Sequence, residues 1–296
     1  MSTIRTVSSS PYTSAQQQWI PRQHPPQPST EGPLSQKQLA DFQQKGFIFE
    51  PNFLSAQEVE HLTEAMHGLL ETPAYKNKEF VIMEPTGQHI RSIFAVHFLS
   101  EALRALAYDP RLTRRAEQIL GSQVYIHQSR INYKPGFEGQ GFNWHSDFET
   151  WHYEDGMPEM RAVSASIIMT DNHHFNGPLM LIPGSHKVFI PSRENTPEDH
   201  YKQSLQQQEI GVPPQEALSQ LMQEHGIEAI TGKAGGLILF DCNVIHGSNA
   251  NMSADPRSNI FFVYNSVENQ CVAPFSGNAP RPEFLAHPHG KQWQPR

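Results

Sequence analysis

Residues 142–147 read FNWHSD and carry a His-x-Asp pair, His145 and Asp147. On an extended backbone, residues two apart point to the same side. The pair can therefore offer a nitrogen and an oxygen to one metal ion while Ser146 turns away. Pairs this short arise often by chance, so a third donor matters. Residues 236–241 read as a buried strand, and His246 follows them in NVIHGS. Two imidazoles and one carboxylate on one face leave the opposite positions open, which is the ligand set of non-haem iron(II) oxygenases. The open positions take a chelating co-substrate and dioxygen.

A chelating 2-oxo acid such as 2-oxoglutarate needs a fixed cation for its far carboxylate, and the planar fork of arginine suits a carboxylate. Arg257 lies eleven residues after His246, at the start of the apolar strand 258–264. A turn and one returning strand bring it back beside the metal. An arginine at such a place is costly unless paired, so a carboxylate partner is expected. Taken singly, each residue has an ordinary explanation: a surface histidine, an aspartate capping a turn, an arginine in a surface ion pair. Jointly, the order His-x-Asp, strand-borne His, strand-opening Arg is much harder to obtain by chance.

These side chains need a scaffold. Ser35 with Gln38 and Ser55 with Glu58 are capping boxes. Behind the first, Leu39 and Phe42 share a helix face that Gly46 closes; behind the second, Val59, Leu62, Met66 and Leu69 repeat at helical spacing. A third helix is expected over 110–120, stopped by Gly121. Short apolar runs bounded by turn residues then follow at 124–133, 163–170, 179–182, 237–240 and 260–264, with a helical insertion near 197–224. Helices first and short strands after predict one α+β, mostly β, domain around an antiparallel barrel or jelly roll. On strand 124–133, Gln128 and Asn132 share a face, and Val124 and Ile126 are expected beside them.

Residues 1–33 are rich in Ser, Gln and Pro and lack apolar periodicity. They are expected to form a mobile or loosely docked arm, with ordered structure beginning at Ser35 and a single domain over 34–296. The 296 residues carry a formal net charge of −8 without Lys/Arg clusters, which disfavours nucleic acid and anionic membranes as partners. No apolar run reaches the roughly 18 residues a membrane helix needs, and the N-terminus lacks an apolar signal core. Two cysteines make no disulfide framework, so a reduced, cytoplasmic compartment is expected. Cys242 reads as a small buried hydrophobe, His186 as a turn residue, and His152, His173 and His174 as exposed or loop histidines.

Residues 142–158, FNWHSDFETWHYEDGMP, resemble the signature segment of the ectoine hydroxylases, a branch of the phytanoyl-CoA dioxygenase superfamily. The resemblance continues through VYIHQSRINYKPGF (124–137), NGPLMLIPGSH (176–186), TPEDHYKQSLQQQEIGVP (196–213) and FFVYNSVENQCVAPF (261–275). It implies a double-stranded β-helix (jelly-roll, cupin-like) core with the N-terminal helices packed outside. It also implies iron(II), 2-oxoglutarate and dioxygen, and hydroxylation of ectoine to 5-hydroxyectoine with release of succinate and carbon dioxide. Carried over by position, the iron ligands fall on His145, Asp147 and His246. The 2-oxoglutarate contacts fall on Phe142, Asn132, Ser166 and Arg257, and the substrate contacts on Gln128, Thr150, Trp151 and Phe261. The expected partner is thus a small solute, with a homodimer allowed. Two alternatives share the pattern: a sibling dioxygenase acting on another small amino-acid-like solute, and a non-catalytic jelly-roll binding protein.

Overall fold

The structure, a computed structural model, describes residues 10–13, 19–191, 197, 199, 201–205 and 211–295. Within them the strands are β1 Ile20–Pro21, β2 Phe47–Glu50, β3 Val81–Met83, β4 Ile90–Phe94, β5 Val124–Lys134, β6 Phe142–His145, β7 Ala162–Ile168, β8 Leu179–Leu181, β9 Val188–Phe189, β10 Glu228–Ile230, β11 Leu237–Asp241, β12 His246–Ser248 and β13 Arg257–Ser266. Seven form one antiparallel sheet in the order β2-β11-β7-β13-β5-β4-β3, and four form a second in the order β10-β8-β12-β6. From β6 to β8 and again from β10 to β13 the chain passes back and forth between the two sheets, as a double-stranded β-helix requires, with β9 set apart against β1. Leu179 and Leu181 of the small sheet pack on Ile168, Ile238, Phe240 and Phe261 of the large one, which closes the barrel.

The outer face of the large sheet is covered by helices α1 Gln36–Lys45, α2 Ala56–Leu70, α3 Val96–Leu99, α4 Glu101–Ala107 and α5 Pro110–Leu120. Both expected capping boxes form, and Gly46 and Gly121 end their helices in the left-handed conformation. Leu62, Met66, Leu103, Leu106, Leu112 and Ile119 pack against Ile131, Ala165, Ile167, Leu239, Ile260 and Phe262. The strands read as unbroken apolar runs because both of their faces are buried. Seven strands (β1 to β4, β9, β10 and β12) and two short helices (α3 and α4) were not evident from the sequence, because each is too short to show a period. The insertion near 197–224 contains helices Tyr201–Ser204 and Gln215–His225, and residues 198, 200 and 206–210 of that expectation lie outside the described residues.

Two sequence expectations are corrected. On β5, Gln128 pairs with Val263 but Ile126 pairs with Tyr264, so His127 is an extra, bulged residue. The bulge turns Ile126 outward, into the core beneath the helices, and leaves Gln128 facing inward. Val124 and Ile126 therefore do not share the face of Gln128. The described part of the N-terminal segment is also packed, not loose. Tyr12 and Ile20 are buried, β1 pairs with β9, and Arg22 forms a buried ion pair with Asp241 at 2.8 Å while donating to the carbonyl of Met160. A few anchors in a proline-rich strap have no period, so composition alone could not distinguish it from an arm.

Two glycines test this account of the helices. Gly46 has φ +87°, and a Cβ there would sit 2.5 Å from the buried ring of His186. Gly46→Ala is expected to destabilise by about 1–2 kcal/mol or more. Gly68, exposed within α2 with no atom near its Cβ position, is the opposite case. Gly68→Ala is expected to stabilise by about 0.5–1 kcal/mol. Urea midpoints at unchanged m-value check both signs.

Candidate active site

His145 ends β6 and is the register partner of His246 at the start of β12. Their rings lie 4.2 Å apart between centroids. Asp147 does not lie on the strand, as its two-residue spacing from His145 suggested. It opens the short helix Asp147–Thr150, because the Ser146 hydroxyl accepts from the Glu149 amide and caps that turn. The three side chains still converge. Asp147 Oδ1 is 3.8 Å from His145 Nε2, Asp147 Oδ2 is 3.9 Å from His246 Nε2, and one ligand atom from each residue fits within 4.8 Å of the others.

The protonation of this trio suits a metal. His145 Nδ1 donates to the carbonyl of Asn143 at 2.7 Å, and His246 Nδ1 to that of Val244 at 3.0 Å. A carbonyl can only accept, so Nδ1 carries the proton in each ring and the Nε2 lone pairs face each other and Asp147. Burial, and next the neighbouring His246, push His145 down to about 3, and burial likewise lowers His246. Burial alone would raise Asp147, but the coulombic pull of His246 when that ring is protonated, and of the permanently charged Arg130 and Arg281, outweighs it and holds the carboxyl below its usual range. Asp147 Oδ2 is buried with no hydrogen-bond partner among the described residues. An orphaned carboxylate oxygen flanked by two bare imidazole nitrogens fits a divalent cation.

Across the same small cavity lies a wall of positive charge. Arg257 is 2% exposed, and its Nε and one terminal nitrogen have no partner among the described residues. The carboxylate partner expected for it is absent from those residues. Directly opposite on β5, behind the cavity lining, is Lys134, also buried, whose ammonium donates to Ser248 Oγ at 2.8 Å and to the Asn249 carbonyl. Burial and Arg257 together hold Lys134 well below its usual range, and burial and then Arg130 lower Arg257 to about 10. Like charges opposed across a strand pair are destabilising, so this wall fits an anionic ligand. Phe142 flanks it, held by the Arg91 guanidinium 3.7 Å above its ring, and Arg91 is in turn paired with Glu84 at 3.2 Å.

Most of the expected contacts line this one cavity: Gln128, Asn132, Phe142, Thr150, Trp151, Arg257 and Phe261, together with the metal trio. Ser166 does not. It shares the inner face, opposite Phe261, but its hydroxyl accepts from Asn259 at 2.8 Å and it is not part of the lining. Gln128 is committed at both ends, donating to the Leu285 carbonyl at 2.7 Å and accepting from Arg130 at 2.6 Å. Sequence reasoning missed Arg130, Lys134 and Arg281. Arg130 lies between Gln128 and Asn132 at the same two-residue period, and Lys134 is the next step, so the pattern contained them. Arg130 also stacks 4.8 Å from the centre of the Phe261 ring. Arg281, held by two bonds to Asp155 at 2.7 and 2.6 Å, comes from a proline-rich stretch without local signal. His152, expected to be exposed, is buried and stacked on Phe275 at 4.0 Å.

Residues 42–259 match the phytanoyl-CoA dioxygenase (PhyH) family. The chain is 60% identical over 279 residues to an ectoine dioxygenase of Halomonas elongata, covering 94% of this chain and 84% of the relative. It is 53% identical over 253 residues to the ectoine dioxygenase of Bordetella bronchiseptica, covering 86% and 82%. Among solved structures it is similar to EctD from S. alaskensis with 2-oxoglutarate and 5-hydroxyectoine, at 44% identity and a TM-score of 0.84, with 94% of this chain and 95% of that one aligned. A structure of the same protein with bound Fe aligns at a TM-score of 0.82, over 94% and 93%. The fold alone is shared with the carbocyclase SnoK of nogalamycin biosynthesis, at 18% identity and a TM-score of 0.63, over 87% and 91%.

Asp147→Ala and His246→Ala are each expected to abolish stoichiometric iron binding while leaving far-UV circular dichroism unchanged; wild-type metal content in either variant would remove it from the ligand set. The histidines also set a pH response. The unfolded chain protonates them below about 6.5, whereas the folded state holds His145 neutral down to about 3. Stability of the metal-free protein is therefore full above about 6.5 and falls as pH drops toward 3. Urea midpoints at pH 7 and pH 5 measure it, and His145→Gln should flatten the slope.

Proposed function

The chain belongs to the phytanoyl-CoA dioxygenase family, and we infer from that membership and its cavity that it is an iron(II)/2-oxoglutarate-dependent dioxygenase that hydroxylates ectoine to 5-hydroxyectoine. The observation that carries the reading is the facing of two incomplete sites across one cavity. One is a three-donor cation site, and the other a buried guanidinium with unpartnered nitrogens. A purely carbohydrate- or lipid-binding jelly roll needs neither. The identity to proteins named ectoine dioxygenase favours ectoine over another small solute.

Residue roles follow from placement. His145, Asp147 and His246 would hold iron(II), which when bound supplies oxidising chemistry coupled to conversion of 2-oxoglutarate to succinate and carbon dioxide. Arg257 would clamp the far carboxylate of 2-oxoglutarate, Lys134 would add charge beside it, and Phe142 and Asn132 would bound its path. Ser166 would act from behind, by fixing Asn259. Ectoine is a compact cyclic amidinium carboxylate, so it needs flat aromatic surface for its cation and donors for its carboxylate. Trp151, 2% exposed, and Phe261 offer walls, with a cation–π contribution of about 0.5–2 kcal/mol. Thr150 and the remaining amide hydrogen of Gln128 offer directional contacts, and Arg130, held by the Gln128 carbonyl, supplies a positive charge. The cavity's accessible space is about 80 Å³, which favours a small solute over a long acyl-CoA.

The same proposal includes one domain over 34–296 completed by the strap, a cytoplasmic setting and a homodimer. Both cysteines are free, which suits a reducing compartment, and no helix among the described residues is long and apolar enough to cross a membrane. Phe137, Phe175 and Met252 are more than two-thirds exposed on adjoining loops, an apolar cluster of the kind subunit contacts cover. Light scattering tests the dimer.

Mass-spectrometric product analysis with iron-loaded enzyme, 2-oxoglutarate and ectoine is expected to show a product one oxygen heavier. Turnover of another small amino acid without hydroxylated ectoine would transfer the reading to a sibling dioxygenase. Trp151→Ala should weaken ectoine far more than 2-oxoglutarate. Arg257→Ala should raise the 2-oxoglutarate requirement by the equivalent of about 2–5 kcal/mol while iron binding persists; an unchanged half-saturation excludes the clamp.

A further inference from the structure

We propose that Arg22, on the N-terminal strap, is a positioning residue for the metal centre. It fixes the turn 241–246, and through Asn243 and Ser146 that turn sets the spacing between Asp147 and His246. This rests on the iron(II) reading above.

The path is continuous. Arg22 donates to Asp241 Oδ2 at 2.8 Å, with side chains 6% and 3% exposed. The other oxygen, Asp241 Oδ1, accepts from the Asn243 amide at 2.9 Å, and the Asp241 carbonyl accepts from Val244 at 3.1 Å. One charged pair thereby closes the turn at both ends of its carboxylate. Asn243, 1% exposed, is the branch point. Its Nδ2 donates to the carbonyls of His186 at 3.1 Å and Val188 at 2.8 Å, and its Oδ1 accepts from the Ser146 hydroxyl at 3.1 Å. Ser146 is the cap of the turn that Asp147 opens, and the Phe148 amide donates to the Cys242 carbonyl at 2.8 Å. At the far end, Val244 offers the carbonyl that orients the His246 ring. Both sides of the site therefore hang on one six-residue turn. The strap's side of the hub is doubly fixed, because Val188, which Asn243 grips, belongs to the strand that pairs with Pro21.

Arg22 lines no part of the active cavity and touches none of the three ligands. A residue that only stapled the strap would, when removed, lower stability and leave metal affinity alone. A positioning residue changes the affinity and geometry of the site itself. Partners that orient ligands from behind are commonly worth about 10–100-fold in metal affinity.

The test uses the full chain, stripped of metal and titrated anaerobically with Fe(II), then with Co(II), whose ligand-field bands report coordination geometry. Arg22→Ala is expected to weaken Fe(II) binding at least about tenfold and to shift the Co(II) bands, and Arg22→Lys to restore most of both. Ile20→Ala, which loosens the strap without cutting the path, should lower the melting temperature yet keep Fe(II) affinity within twofold. Ser146→Ala cuts the path at its other end and should reproduce the Arg22→Ala defect, which keeps the test decisive if Arg22→Ala does not fold. Affinity within twofold of wild type in Arg22→Ala, or an equal loss in Ile20→Ala, overturns the proposal. So does a wild-type response in Ser146→Ala when Arg22→Ala cannot be read. A wild-type protein that binds no Fe(II) would instead overturn the iron reading.

Discussion

A carboxylate oxygen with no hydrogen-bond partner among the described residues, buried between two unprotonated imidazoles, is the constraint that organises this protein. Taking an ion out of water is strongly unfavourable unless it is compensated, and with both rings neutral Asp147 has the fields of the Arg130 and Arg281 guanidiniums to hold its charge. The arrangement persists because the surroundings leave none of the three side chains another place to go. Each imidazole is tied to the carbonyl two residues before it, the aspartate opens a capped turn, and the two strands that carry the histidines are hydrogen-bonded neighbours. The back-and-forth winding of a double-stranded β-helix makes β6 and β12 neighbours although about a hundred residues separate them in sequence.

The opposite wall shows the same logic with the sign reversed. Arg257 and Lys134 face each other across a strand pair, both buried and neither with a carboxylate partner among the described residues. Arg91 and Arg281, by contrast, are neutralised by Glu84 and Asp155 and serve to hold other residues in place. The distinction separates functional from structural charge. Cations paired with carboxylates in this interior fix geometry, Lys134 is held by Ser248 and Asn249, and Arg257, with unpartnered nitrogens among the described residues, is the one poised for a ligand. An interior that is incomplete in both signs is less stable than a fully satisfied one, and such local violations are expected where binding takes place.

What could be read from the sequence divides along the same line. Local signals held: both capping boxes, the glycine stops and the apolar strand runs report interactions within a few residues. The His-x-Asp pair was legible, but its geometry was not, since whether Ser146 continues a strand or caps a helix depends on Asn243, almost a hundred residues away. Arg130 was legible in principle, one period from Gln128. The strap was not, because its attachment rests on Ile20, Arg22 and strand pairing with Val188 and Phe189, and none of these produces a periodic pattern.

The bulge at His127 shows how one strand meets two incompatible demands. At its start β5 must send Ile126 outward to the helices, and further on it must send Gln128, Arg130 and Asn132 inward to the cavity. A regular strand would place 126, 128, 130 and 132 on one face, and a one-residue slip would exchange the whole set. The extra residue resolves the conflict by changing face once, between Ile126 and Gln128. Its side chain is not wasted: His127 bonds Asp155 at 3.2 Å, which holds Arg281, and its ring lies 5.3 Å from that of Trp151. The irregularity that keeps the helical core and the cavity in register therefore also supports the cavity wall from behind, which is why a local defect in the ladder sits beside the site.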